Sequence, residues 1–144
     1  MKTSRSLFFA IVIISMYVFS PNAFGQKKKK DKELDGKVFL VELTEEGGKK
    51  KSISDELSFK SDKFKSKTMG EKNKFDAALY IAVVDSSSGE KILNFETETK
   101  NDSDELITWK GTVNNEEIEG KAVWTKKGKV KKEYSFSGSL KLKK

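Results

Sequence analysis

Residues 91–140 read KILNFETETK NDSDELITWK GTVNNEEIEG KAVWTKKGKV KKEYSFSGSL, and the spacing of their side chains decides the fold. Leu93, Phe95 and Thr97 alternate with Asn94, Glu96 and Glu98. That period of two belongs to a strand with one face buried and one in water. The turn residues Asn101 to Asp104 close the run, and three more follow on one plan: Trp109-Lys110-Gly111-Thr112-Val113, Ile118-Glu119-Gly120-Lys121-Ala122 and Phe136-Ser137-Gly138-Ser139-Leu140. Asn114-Asn115 and Lys126 to Lys129, around Gly128, supply the turns between them. Because strand side chains alternate, each glycine shares the inward face with its bulky neighbour. Glycine inside a strand marks a bend or a close approach. Two readings follow: the glycines let a small sheet coil into closure beneath Trp109, Trp124 and Phe136, or they leave room for a ligand.

The same rhythm extends back to Lys37. Phe39, Val41 and Leu43 share one face of a run from Lys37 to Thr44, with Val38 and Leu40 on the other. Leu57 and Phe59 mark the next strand, and Ser61-Asp62 a tight turn. Lys63, Lys65 and Lys67 then alternate with Phe64, Ser66 and Thr68, as in a strand wet on one side. Met69 to Asn73 is expected to turn the chain into its most apolar run, Phe75 to Val84, which Asp85 to Gly89 ends too sharply for a helix. Eight short strands with short connections leave no room for a parallel crossover. The fold class predicted is all-β, an eight-stranded antiparallel up-and-down β-barrel. The alternative is a β-sandwich, for which only Glu45 to Asp55 is long enough to cross between sheets.

Residues 1–25 have the form of a secretory signal peptide: Lys2 and Arg5, an apolar stretch from Leu7 to Phe19, and Ala23 and Gly25 before Gln26. Cleavage after Gly25 predicts a secreted or periplasmic product of 119 residues, divided into a mobile Lys-rich tail over 26–33 and a barrel domain over 34–144. The formal charge of +7 falls to +5 when the two basic residues of the signal leave. No Cys is present for disulfides, so packing alone must hold the domain. The absence of both His and Cys excludes zinc or copper sites built on imidazole or thiolate, and Ser-His-Asp or Cys-His machinery. No metal site or cofactor is indicated.

Taken together, the strands resemble the lipocalin and calycin-type barrels. Leu34-Asp35-Gly36-Lys37-Val38-Phe39 is similar to the Gly-x-Trp opening of lipocalins, with Val38 where the tryptophan stands, and no arginine is present to cover the barrel end. The outline without a terminal helix is also similar to avidin-type barrels, whose ligand motifs are missing. The Trp-x-Gly, Ile-x-Gly, Trp and Phe-x-Gly pattern at Trp109, Ile118, Trp124 and Phe136 resembles that of small exported bacterial proteins.

The lipocalin resemblance implies a non-catalytic binding protein, with a small apolar molecule held inside the barrel against Trp109, Trp124, Tyr134 and Phe136. Alternation sends Phe39, Phe59, Phe64, Phe75, Phe95 and those four residues inward, which is a heavy filling for eight strands. A second reading is contact with anionic lipid, polysaccharide or a protein partner through Lys27, Lys28, Lys29, Lys30, Lys63, Lys65 and Lys67. No exposed aromatics interleave those lysines, so no specific nucleic-acid partner is expected. A carboxylate-dependent hydrolase is third, and Glu96, Glu98, Glu117 and Glu119 alternate away from the apolar face where such a pair would have to meet.

Overall fold

The computed structural model describes residues 32–47 and 51–142. Its strands are β1 (Val38–Glu45), β2 (Ser52–Lys60), β3 (Lys63–Ser66), β4 (Ala78–Asp85), β5 (Ile92–Lys100), β6 (Glu105–Asn114), β7 (Glu117–Lys126) and β8 (Lys129–Leu140), with one short helix, α1 (Lys67–Asn73), between β3 and β4. Each strand runs antiparallel to its sequence neighbour, and β8 returns to β1 to close an up-and-down barrel. A single sheet closed on itself rules out the sandwich. The expected signal peptide, most of the expected tail and Lys27, Lys28, Lys29 and Lys30 lie outside the described residues. Lys32 and Glu33 are described, and there the chain already turns: Asp35 N donates to the Lys32 carbonyl at 3.0 Å, and Glu33 meets Lys91 at 2.5 Å.

Tight turns set the register. Ser61 and Asp62 take φ values of 52° and 64°, and Lys127 and Gly128 take 51° and 79°, the left-handed pairs whose twist matches a two-residue hairpin. The up-and-down path puts the β1–β2 connection, α1 and the β5–β6 and β7–β8 turns at one end of the barrel, the helix end. The amino-terminal segment lies at the other, where Leu34 is fully buried.

The inward glycines serve closure. A Cβ on Gly111 would lie 2.7 Å from both the Glu119 carbonyl oxygen and the Phe95 ring, and one on Gly120 would lie 2.1 Å from the Lys110 carbonyl oxygen and 2.7 Å from the Phe136 ring. Phe95 and Phe136 therefore occupy the space the glycines leave, a role the sequence had assigned to Trp109, Trp124 and Phe136. At Gly138 the three nearest atoms are all backbone: a Cβ would stand 1.9 Å from the Leu40 carbonyl oxygen, across the β1–β8 seam.

The rings fill the centre. Phe59 meets Phe39, Phe64, Tyr80 and Phe95 at centroid distances of 5.0 to 6.0 Å, and Phe64 meets Trp109 at 5.0 Å. Edge-to-face contacts at this spacing add about 0.5–1.5 kcal/mol each beyond burial.

Two expectations about 63–84 are corrected. Strand three does not run to Thr68; it ends at Ser66, which caps α1 by accepting from Met69 N at 3.2 Å. Asp55 on β2 supports the same cap, accepting from Thr68 N at 2.8 Å and from the Ser66 hydroxyl. The helix buries Met69 against the core, and tertiary capping thus overrides a local alternation that fits a strand. The apolar run also changes phase. Phe75 is buried ahead of β4, but β4 begins at Ala78 and turns Tyr80 and Ala82 inward, leaving Leu79 and Ile81 exposed at 66% and 48%. The β3–β4 seam has only two paired positions, Lys63 with Leu79 and Phe64 with Ala78.

Candidate functional site

The four aromatic residues proposed to line a ligand site are all buried, in two neighbourhoods. Trp109 sits centrally, its indole N–H donating to the Thr99 hydroxyl at 3.2 Å and its ring 5.7 Å from Phe136. Phe136 packs in turn on Phe95. Trp124 lies at the helix end, edge-on to Phe75 at 5.3 Å, and no ring contact joins it to Trp109 or Phe136 among the described residues. Tyr134 is buried on β8, and burial pushes its hydroxyl pKa up. Packed rings fill the space round the central pair. An open depression of about 1390 Å³ lies over the mid-barrel positions of Glu96, Lys110, Thr112, Glu119 and Ser137, and Phe136, alone of the four predicted residues, reaches it together with Phe95, Gly111 and Gly120. Its lining mixes hydroxyls and charges of both signs with the apolar Leu79, Ile81, Phe95 and Phe136.

A second constellation, which the sequence reading passed over, joins Glu105, Trp124, Asn101 and Lys131. Glu105 opens β6 on the same face as Ile107 and Trp109 and is buried. Its carboxylate accepts from the Lys131 ammonium at 2.8 Å, the Trp124 indole at 3.1 Å and the Asn101 amide at 3.0 Å. Lys131 also lies 4.7 Å over the Trp124 ring. The hydrogen bond from Lys131, then that from Asn101, outweighs desolvation and holds the Glu105 carboxyl down to about 2. Asn101, the head of a glycosylation sequon, spends its amide here and on the Asn73 carbonyl. A glycan on that nitrogen would compete with both bonds.

The sign of the pH dependence follows. A carboxyl whose folded pKa lies below its ordinary 4.5 contributes stability in full above that value, and loses it as pH falls towards about 2. Urea midpoints measured from pH 5 to pH 2 should therefore fall less steeply in Glu105→Gln than in the parent. An unchanged acid limb would mean that the clamp contributes nothing. Asp55 works in the opposite sense: burial raises its pKa against the hydrogen bonds from Ser66, Thr68 and Glu56, so its contribution declines as pH rises through 3.8 to its folded value.

The strand-three lysines do not form a single-signed patch. Lys63 and Lys65 are exposed on β3, whereas Lys67 opens α1 and lies 3.8 Å from Glu56. The groove beside α1 sets Lys65, Lys67 and Lys74 among Glu56, Glu71, Asp76 and Asp102. A denser basic run, Lys126 to Lys132, which the sequence reading treated as a turn, forms the β7–β8 hairpin. No protein-family model, curated protein or solved structure matches the chain.

Proposed function

We propose that this chain is an exported, non-catalytic binding protein on a lipocalin-like barrel, and that it meets its partner through the outside of the barrel rather than the lumen. One observation carries the reading: the interior of an eight-stranded barrel is just wide enough for side chains to fill, and here contacting rings from Phe39 to Phe136 fill it. A lipocalin-like pocket needs modest interior side chains and an opening, whereas Trp109 is fully buried. The non-catalytic part is supported by the lack of His and Cys. It is also supported by the buried carboxylates Asp55 and Glu105, each engaged by neighbours of its own. Native mass spectrometry of the protein purified from its own source tests the reading. The expected mass is that of the polypeptide from Gln26 to Lys144 alone. A stoichiometric small molecule retained in the gas phase would overturn the outer-surface assignment, and a mass that includes residues 1–25 would overturn export by cleavage.

A further inference from the structure

We propose that the tip of the β7–β8 hairpin is the contact surface and that its partner is an anionic phospholipid bilayer, an inference that rests on the outer-surface reading above. Residues 126–132 read Lys-Lys-Gly-Lys-Val-Lys-Lys, five lysines without an acid. The β8 arm of this segment runs past its neighbour: β1 pairs β8 only as far as Glu45 with Tyr134, with Glu46 N donating to the Glu133 carbonyl at 2.8 Å just beyond, whereas β6 stays paired with β7 to the last β7 residue, Lys126. Lys129 to Glu133 are accordingly exposed one after another along β8, while on β7 Trp124 is buried and Thr125 half-buried.

The overhang has a base and a tip with different chemistry. At the base a register shift beside Trp124 marks a bulge, and Lys131 turns back onto Glu105 and the Trp124 ring. Lys132 reaches Glu45 at 3.5 Å. These pairs fasten the hairpin to the barrel. At the tip, Lys126, Lys127 and Lys129 form no ion pair with any carboxylate among the described residues. Between the two groups Val130 stands 59% exposed, opposite Thr125.

Three ammonium groups without a carboxylate partner among the described residues, beside one exposed aliphatic side chain on a two-residue turn, match the boundary of an anionic bilayer. The lysines meet phosphodiester headgroups, and Val130 enters the apolar edge beneath them. A polysaccharide or nucleic acid would use the charges but not the valine, and the tip offers no aromatic ring on which a base could stack. Asp102 and Asp104, in the neighbouring β5–β6 turn, bring opposing charge to the rim. The attraction is thus focused on the tip and not spread over the whole helix end.

The test is cosedimentation of the chain from Gln26 onward, which contains every described residue, with phosphatidylcholine vesicles and with mixed phosphatidylcholine–phosphatidylglycerol vesicles at low salt. Binding to the mixed vesicles alone is expected, weakening as salt rises. A lysine near an anionic surface is worth about fivefold in partitioning. The triple variant Lys126→Gln, Lys127→Gln, Lys129→Gln should therefore lose about a hundredfold, and Val130→Ser should weaken binding several-fold at unchanged charge. All four positions are exposed, so circular dichroism melts should coincide with the parent and separate lost binding from lost fold. Failure of the parent to bind mixed vesicles, or binding that survives the triple variant, overturns the proposal. So does a variant with Lys27, Lys28, Lys29 and Lys30 replaced by Gln that loses all binding while the hairpin variant keeps it. Hairpin-dependent retention on heparin without vesicle binding overturns the lipid assignment but leaves the outer-surface reading standing. A ligand found inside the barrel overturns that reading itself.

Discussion

Phe59→Ala is expected to lower the melting temperature by about 15–25 °C, the largest effect of any single truncation inside the barrel. The residue is fully buried on β2, and its ring touches Phe39, Phe64, Tyr80 and Phe95, which come from four other strands. Truncating a buried Phe costs about 3–5 kcal/mol, because lost transfer energy adds to the cavity left behind. For a domain a little over 100 residues long each kcal/mol moves the midpoint by about 4–5 °C. Rings held by four strands cannot easily collapse into the hole, so the upper part of the range applies. Leu79→Ala, on the exposed side of β4, is the control and should stay within about 0.5 kcal/mol of the parent. Thermal unfolding followed by circular dichroism decides it. A loss under about 1 kcal/mol at Phe59 would mean a loosely packed centre, and a lumen able to admit a ligand after all.

The strand pattern was legible because alternation is strict where each strand is wet on one face. Phe95 and Thr97 point inward, with Asn94 and Glu96 outward, as their spacing requires. The same parity was enough to expose two features that went unread. Asp55 is in phase with Leu57 and Phe59, and Glu105 with Ile107 and Trp109; both carboxylates therefore had to face inward and find partners. Neither residue belongs to a recognisable motif, so parity is the signal that marks them. The helix α1 is a different case. Lys63 to Thr68 alternates as a strand would, and the deciding interaction comes from Asp55 across β2, which no local window contains. The phase of β4 depends likewise on the residues after α1, where Phe75 is buried out of step with Tyr80 and Ala82. The hairpin lysines could be counted in the sequence. Their overhang could not, since it depends on where β1 stops pairing with β8.

Gly138→Ala should open the barrel. The position pairs with Val41 in the ladder that joins the last strand to the first, and its missing side chain lets two backbones approach. A Cβ there would stand 1.9 Å from the Leu40 carbonyl oxygen and 2.6 Å from the Val41 Cα. Neither atom can swing aside as the end of a side chain can, so relief requires β1 and β8 to separate. Small-to-large strain in a packed interior costs about 1–3 kcal/mol and occasionally more; a clash with main chain on both atoms belongs at or beyond the top of that range. Gly70→Ala is the contrasting change, because its Cβ would come no closer than 3.3 Å to the Phe75 carbonyl oxygen. It should shift stability by less than about 1 kcal/mol. Separation of β1 from β8 would leave two bare strand edges, which are templates for pairing with another chain. Hydrogen exchange should therefore show protection lost first along the Leu43–Phe136 ladder, and size-exclusion chromatography should show association that the parent lacks. A monomeric Gly138→Ala protein with parental exchange in β1 and β8 would mean that the seam can shift without opening, and that closure does not depend on this contact.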